Sequence, residues 1–183
     1  MHRSIVLFLL LSSGASLFAQ ASERLEQAAF APRHAPLERK NQALLNYLWL
    51  DVYAAAFYAE PGVTPQQAVE RPSRQRLELY YFRTIDRADV IKAAWITLER
   101  QQAPAALEAL RGELERLHGN FRDIAPGDRY ALDFTPGRGL SLERNGLQVF
   151  ASPDPELAKA YLGIWLRPDG LSDELRASLM AGP

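Results

Sequence analysis

A chain of 183 residues, 48% hydrophobic and 23% charged, is long enough to bury one substantial core, which excludes disorder as the default. Its 21 basic and 22 acidic side chains leave a net charge of −1, too little positive field for a nucleic-acid partner. The absence of cysteine excludes disulfides, thiolate nucleophiles and thiolate metal sites together.

The first element is not part of the fold. "MHRSIVLFLLLSSGASLFAQA" has a basic start at His2 and Arg3, an apolar run from Ile5 to Leu11, and small residues at Ala19 and Ala21. This pattern predicts a signal peptide over residues 1–21, cut after Ala21, and hence a periplasmic or secreted protein with one domain over 22–183. The run is short of the roughly 20 apolar residues that span a bilayer. An uncleaved segment is the one membrane contact this reading offers, and with no cysteine after it a lipid anchor is excluded. Removal of residues 1–21 takes Arg3 and no acid, leaving a charge of −2.

Ser22 to Gln42 is mixed in character and broken by Pro32 and Pro36. Leu44 to Ala59 reads as one long strand or two joined strands. Both faces are apolar, so it is covered on both sides, and period two puts Asp51 on the same face as Tyr53. Pro61-Gly62 turns the chain, and "TPQQAVE" predicts a short helix capped by Thr64. "RLELYYFRTID" is the next strand: Leu77, Leu79, Tyr81, Arg83 and Ile85 share one face, and Glu78, Tyr80 and Phe82 the other.

Two helices follow, the first capped by Asp86 with Val90, Ile91, Ala94, Trp95 and Leu98 inward, the second opened by Pro104 and closed at His118-Gly119. Period two returns at Tyr130, Leu132 and Phe134, and Asn145-Gly146 marks a hairpin. Asp154-Pro155 begins a helix with Leu157, Tyr161, Ile164 and Trp165 inward, and Ser172 caps the last one. Strands, a helix pair, a hairpin and then helices make an α+β order, with a mainly antiparallel sheet and helices packed on one face.

No G-x-S-x-G, Walker loop or G-x-G-x-x-G occurs, and His34 and His118 stand without partners at ligand spacing. These residues therefore predict no metal and no cofactor.

The segments "YLWLDVYAAAFYA", "LELYYFRTIDRADVIKAAW", "IAPGDRYALDFTPGRGLSLERNGLQV" and "AYLGIWLRPDGLSDELRASLMAG" occur in that order. Together they resemble the secreted bacterial chalcone isomerase-like family over about Leu44 to Gly182. The resemblance implies an open-faced β-sandwich, a large antiparallel sheet with helices packed on one face. Plant-type members cyclise a flavonoid precursor with an arginine in a G-x-R turn, a threonine on the next strand, and a tyrosine with polar helix residues beyond. Here "NQALLNYLWL" has no G-x-R; Tyr53 stands at the threonine position, Arg87 near the tyrosine, and Ala93 or Ala94 near the polar helix position. The isomerase set is missing. Related non-catalytic members bind fatty acids, with an arginine and a tyrosine on the carboxylate.

An arginine on an apolar strand face needs a partner, because an isolated buried charge is very costly. Arg83 has three open to it: the carboxylate of Asp51, water at the strand's end, or a ligand oxyanion. The candidate ligand-binding set is therefore Arg83, Tyr53 and Asp51, with Tyr81 and Trp95 as walls. It points to a small apolar or anionic ligand, fatty-acid-like or phenolic. The alternatives are an isomerase or lyase with Arg83 on an oxyanion and Tyr53 as acid or base, and a structural or partner-binding protein.

Overall fold

The computed structural model describes residues 12–182; the apolar run Ile5 to Leu11 lies outside the described residues. An N-terminal helix α1 (Ser12–Ala28) leads into a short strand β1 (Arg33–His34), then β2 (Leu37–Tyr47) and β3 (Leu50–Ala59). Helix α2 (Pro65–Glu70) and strand β4 (Gln75–Tyr81) follow, then the helix pair α3 (Arg87–Gln101) and α4 (Pro104–His118). Strands β5 (Arg129–Thr135), β6 (Gly139–Arg144) and β7 (Leu147–Ser152) precede helices α5 (Pro155–Leu166) and α6 (Asp173–Leu179).

The seven strands form one antiparallel sheet in the order β1 to β7. Helices α2 to α6 pack on one face of it, around Phe57, Leu77, Leu98, Leu114 and Ile164, as the α+β reading expects. The opposite face of β3 and β4 is covered too. There α1 and the segment after it bring Leu25, Ala28 and Phe30 onto Ala54, Ala56 and Tyr58.

Local chemistry fixes most boundaries. Thr64 accepts from the Gln67 amide while the Gln67 side chain accepts from the Thr64 amide, a reciprocal cap that starts α2. Asp154 and Ser172 cap α5 and α6 one way only, their side chains accepting from amides of the first turn. Asn145 (φ 50°) and Gly146 (φ 79°) make the β6–β7 turn that left-handed backbone requires. Gly139 (φ 82°) has no room for a side chain, since a Cβ would lie 2.0 Å from the Ser152 carbonyl oxygen.

The run Leu44 to Ala59 is the second of its two readings, two joined strands: a two-residue hairpin turned by Leu48 (φ 47°) and Trp49 (φ 68°) with Tyr47 paired to Leu50. Two strand details depart from the sequence reading. Leu45 pairs with Tyr53 and Asn46 with Asp51, so Val52 is an extra, bulged residue. The bulge breaks the period, and Asp51 does not share a face with Tyr53. Finally, β4 stops at Tyr81, so Arg83 is beyond the strand and exposed; Ile85 makes only an isolated bridge to Ile124.

Candidate functional site

Between the sheet and the helices lies a cavity of about 770 Å³, within the roughly 300–1,000 Å³ typical of small-ligand sites. Leu77, Leu79, Leu132 and Leu142 form its floor, and Val90, Ala93, Ala94 and Ile164 its roof. Alternation puts Leu77, Leu79 and Tyr81 of β4 together on this side, as period two requires. Of the lining residues, Asn46, Tyr47 and Asp89 are exposed, which sets the mouth between the β2–β3 hairpin and the first turn of α3.

The polar groups of the interior are phenols. Tyr53, Tyr81, Tyr130 and Tyr161 all line the cavity and are all buried. The ring of Tyr81 lies 5.3 Å from that of Tyr53 and 6.1 Å from that of Tyr130, whose other neighbour, Phe121, stacks at 5.3 Å. Trp165 Nε1 donates to the Tyr53 hydroxyl at 2.8 Å. Among the described residues no carbonyl or carboxylate accepts from any of these four hydroxyls, and that of Tyr130 has no partner at all. Tyr58, on the other face, shows the usual outcome: its hydroxyl donates to the Ala31 carbonyl at 2.9 Å.

Burial pushes the Tyr81 phenol well up, and the phenols of Tyr53, Tyr161 and Tyr130 add to it. Burial also raises Tyr53, against the pull of the Trp165 hydrogen bond, and Tyr161. These three are neutral donors across the physiological range. Among the described residues no lysine, arginine or histidine lines the cavity. What the arrangement offers is an apolar volume with several uncharged O–H donors converging on it.

Of the predicted site residues, Tyr53 and Tyr81 are in this wall, but the other three are not. Asp51 turns to the opposite face, where its carboxylate accepts from Arg24 Nε on α1 at 3.0 Å. Arg83 does not pair with that carboxylate; its Nε donates to the Asp51 backbone carbonyl at 3.1 Å, and solvent takes the rest of the guanidinium. Trp95 packs between α3 and α4, its ring 5.5 Å from His118 and under the Arg111 guanidinium. The cavity tryptophan is Trp165. Its position four residues after Tyr161 on the inward stripe of α5 was the available signal, but a stripe of that kind reads the same against solid core.

Tyr53→Phe should cost about 1–3 kcal/mol, because it strands the buried Trp165 N–H. Thermal unfolding of Tyr53→Phe, Trp165→Phe and the double variant checks this: the two losses should not add.

Among the described residues no three His, Asp or Glu side chains are grouped so as to hold a metal ion, and no helix is long and apolar enough to cross a membrane. The family model described as chalcone isomerase-like matches residues 28–181. A comparison with curated proteins finds no match. Among solved structures the chain is similar to a fatty-acid binding protein of Arabidopsis thaliana. The TM-score is 0.63 at 15% identity, over 84% of this chain and 93% of the plant protein.

Proposed function

Since the chain belongs to the chalcone isomerase-like family, we propose that it is a non-catalytic binding protein that takes one small apolar molecule bearing an acceptor oxygen. The observation that carries this reading is the 770 Å³ cavity, with four phenols and, among the described residues, no cation. Burying a carboxylate there without a positive partner would be costly, whereas an ester, ketone, quinone, phenol or protonated acid needs only hydrogen-bond donors. The likeness to a fatty-acid binding protein supports a ligand with a long apolar body.

The catalytic alternative needs Arg83 and Tyr53 on one substrate. Arg83 stands outside the cavity and Tyr53 inside it, and a phenol held neutral by burial is a poor base. Export is part of the proposal and rests on the apolar start of the chain. Cleavage after Ala21 would cut within α1 and remove Gln20, which donates to Asp51 at 3.5 Å, while Arg24 stays in the mature chain.

The test is thermal unfolding with a matched set of ligands: a long-chain fatty acid, its methyl ester, a quinone and a simple phenol. At 100 times its Kd a ligand stabilises by about 2.7 kcal/mol, which is several degrees in Tm. The ester should bind at least as tightly as the ionised acid at neutral pH. Ala93→Trp, which fills the roof, should abolish every shift. A set that leaves Tm unmoved in the parent chain sinks the proposal.

A further inference from the structure

The tip of the β2–β3 hairpin breaks two rules at once. Tyr47, Leu48 and Trp49 are 67%, 69% and 98% exposed, and Leu50 is also exposed, making one continuous apolar surface. Large apolar side chains scattered singly on a surface are ordinary, but four in sequence are not. The turn is also built from the wrong residues. A two-residue loop with φ positive at both positions favours Asn-Gly, which this chain uses at Asn145-Gly146. At Leu48 and Trp49 bulky side chains occupy the same conformation, with no packing to compensate.

The charge beside the tip has a sign. Arg83 is tied to the hairpin's base through the Asp51 carbonyl, and no carboxylate lies within ion-pair distance of it among the described residues. Arg24, the other guanidinium at the base, is neutralised by Asp51. On the neighbouring start of α3, Arg87 and Lys92 balance Asp86 and Asp89, all exposed. Arg83 is thus the guanidinium at the hairpin's base that no carboxylate neutralises among the described residues. A tryptophan, a tyrosine and two leucines with an arginine behind them match the two layers of an anionic bilayer surface: rings at the headgroup boundary, leucines below, guanidinium on phosphate.

We infer that the hairpin tip Tyr47–Leu50 docks the protein on anionic membranes, with Arg83 on a lipid phosphate. Tyr47 belongs to both the tip and the cavity lining, so docking puts the cavity mouth against the lipid, where apolar molecules are concentrated. This use of the surface rests on the ligand-binding reading, but the docking itself requires no ligand.

The experiment uses the full chain with vesicles of phosphatidylethanolamine and phosphatidylglycerol, and with phosphatidylcholine vesicles as control. Trp49 is the one exposed tryptophan of three; Trp95 is half-buried and Trp165 buried. Its emission should shift to the blue and be quenched by brominated acyl chains, and Trp49→Phe should lose that component. This readout is local, so the apolar start of the chain does not contribute to it. The variant Leu48→Asn/Trp49→Gly installs the turn the backbone prefers. It should hold or raise Tm while weakening vesicle binding at least tenfold. Arg83→Gln should weaken binding about fivefold on anionic vesicles and leave the control unchanged.

Unquenched Trp49, or a Leu48→Asn/Trp49→Gly variant that binds as the parent does, overturns the docking. So does a blue shift that follows protein concentration without vesicles, which would assign the tip to a second copy. Cavity binding of the methyl ester, measured without vesicles, should be unchanged in that variant. A failure of docking and a failure of ligand binding are thereby separate results.

Discussion

Arg76→Met destabilises the fold by about 3–5 kcal/mol at neutral pH, measured by equilibrium denaturant unfolding. Arg76 projects from β4 on the face opposite the cavity, where its guanidinium holds three acids: Asp133 at 2.5 Å, Glu143 at 2.8 Å and Glu78 at 3.5 Å. Glu78 is 3% exposed and also accepts from Arg129 and meets His34 Nε2 at 3.0 Å. Methionine matches the stem of arginine but leaves Asp133 and Glu143 without their cation. Burial already pushes Asp133 up to about 6, with Arg76 pulling the other way. Without Arg76 it rises further, so a carboxylate that is costly at pH 7 becomes a neutral acid on mild acidification. The folded pKa exceeds the unfolded value of 3.8, so this group favours the folded state as pH falls. The deficit of Arg76→Met should therefore shrink between pH 7 and pH 5. A deficit that is small, or constant with pH, would show that packing of the stem and not charge is what Arg76 supplies.

The second large effect concerns His118, at the end of α4. It is 4% exposed, set against Trp95, Phe121 and Tyr161, and neither ring nitrogen has a partner among the described residues. Burial, helped by the Arg87 guanidinium, lowers its pKa from 6.5 to about 4. Between those values the unfolded chain binds a proton that the folded chain refuses, so stability falls as pH drops from about 6.5 to about 4. At 1.36 kcal/mol per pH unit the loss is on the order of 3 kcal/mol. His118→Leu removes it, and the variant's advantage over the parent should grow by that amount from pH 7 to pH 4. The difference between the two chains is the quantity to measure, because Asp133 acts in the opposite sense over the same range. An advantage that does not vary with pH would mean that His118 is solvated in the folded state.

Some of this was readable from the sequence because it is written in local chemistry. The Thr64 cap, the Asn145-Gly146 turn, the leucine stripe of α4 and the shared face of Leu77, Leu79 and Tyr81 each depend on residues a few positions apart. The misses share a different cause. The Leu48-Trp49 turn carries no turn residues, so nothing in its composition marks the positive φ at both positions. The bulge at Val52 has no sequence signature, yet it reverses the side of Asp51 and removes the Asp51 carboxylate from the three partners open to Arg83. The extent of β4 depends on where its neighbours end, so Arg83 read as strand when it lies past it. A cavity is the least legible of all, because an inward stripe looks the same whether it meets side chains or open volume.

The sheet order has a kinetic consequence. Every strand pairs with its neighbour in the chain, so nearly all closures are short, and hairpins of this kind form in microseconds. One seam differs: β4 must meet β5 across the whole α3–α4 excursion, pairing Tyr80 with Arg129 and Gln75 with Phe134. That loop carries the largest closure entropy of the sheet. The chain thus comes together as two quickly made halves, β1–β4 and β5–β7, and the cavity comes into being only when they zip together.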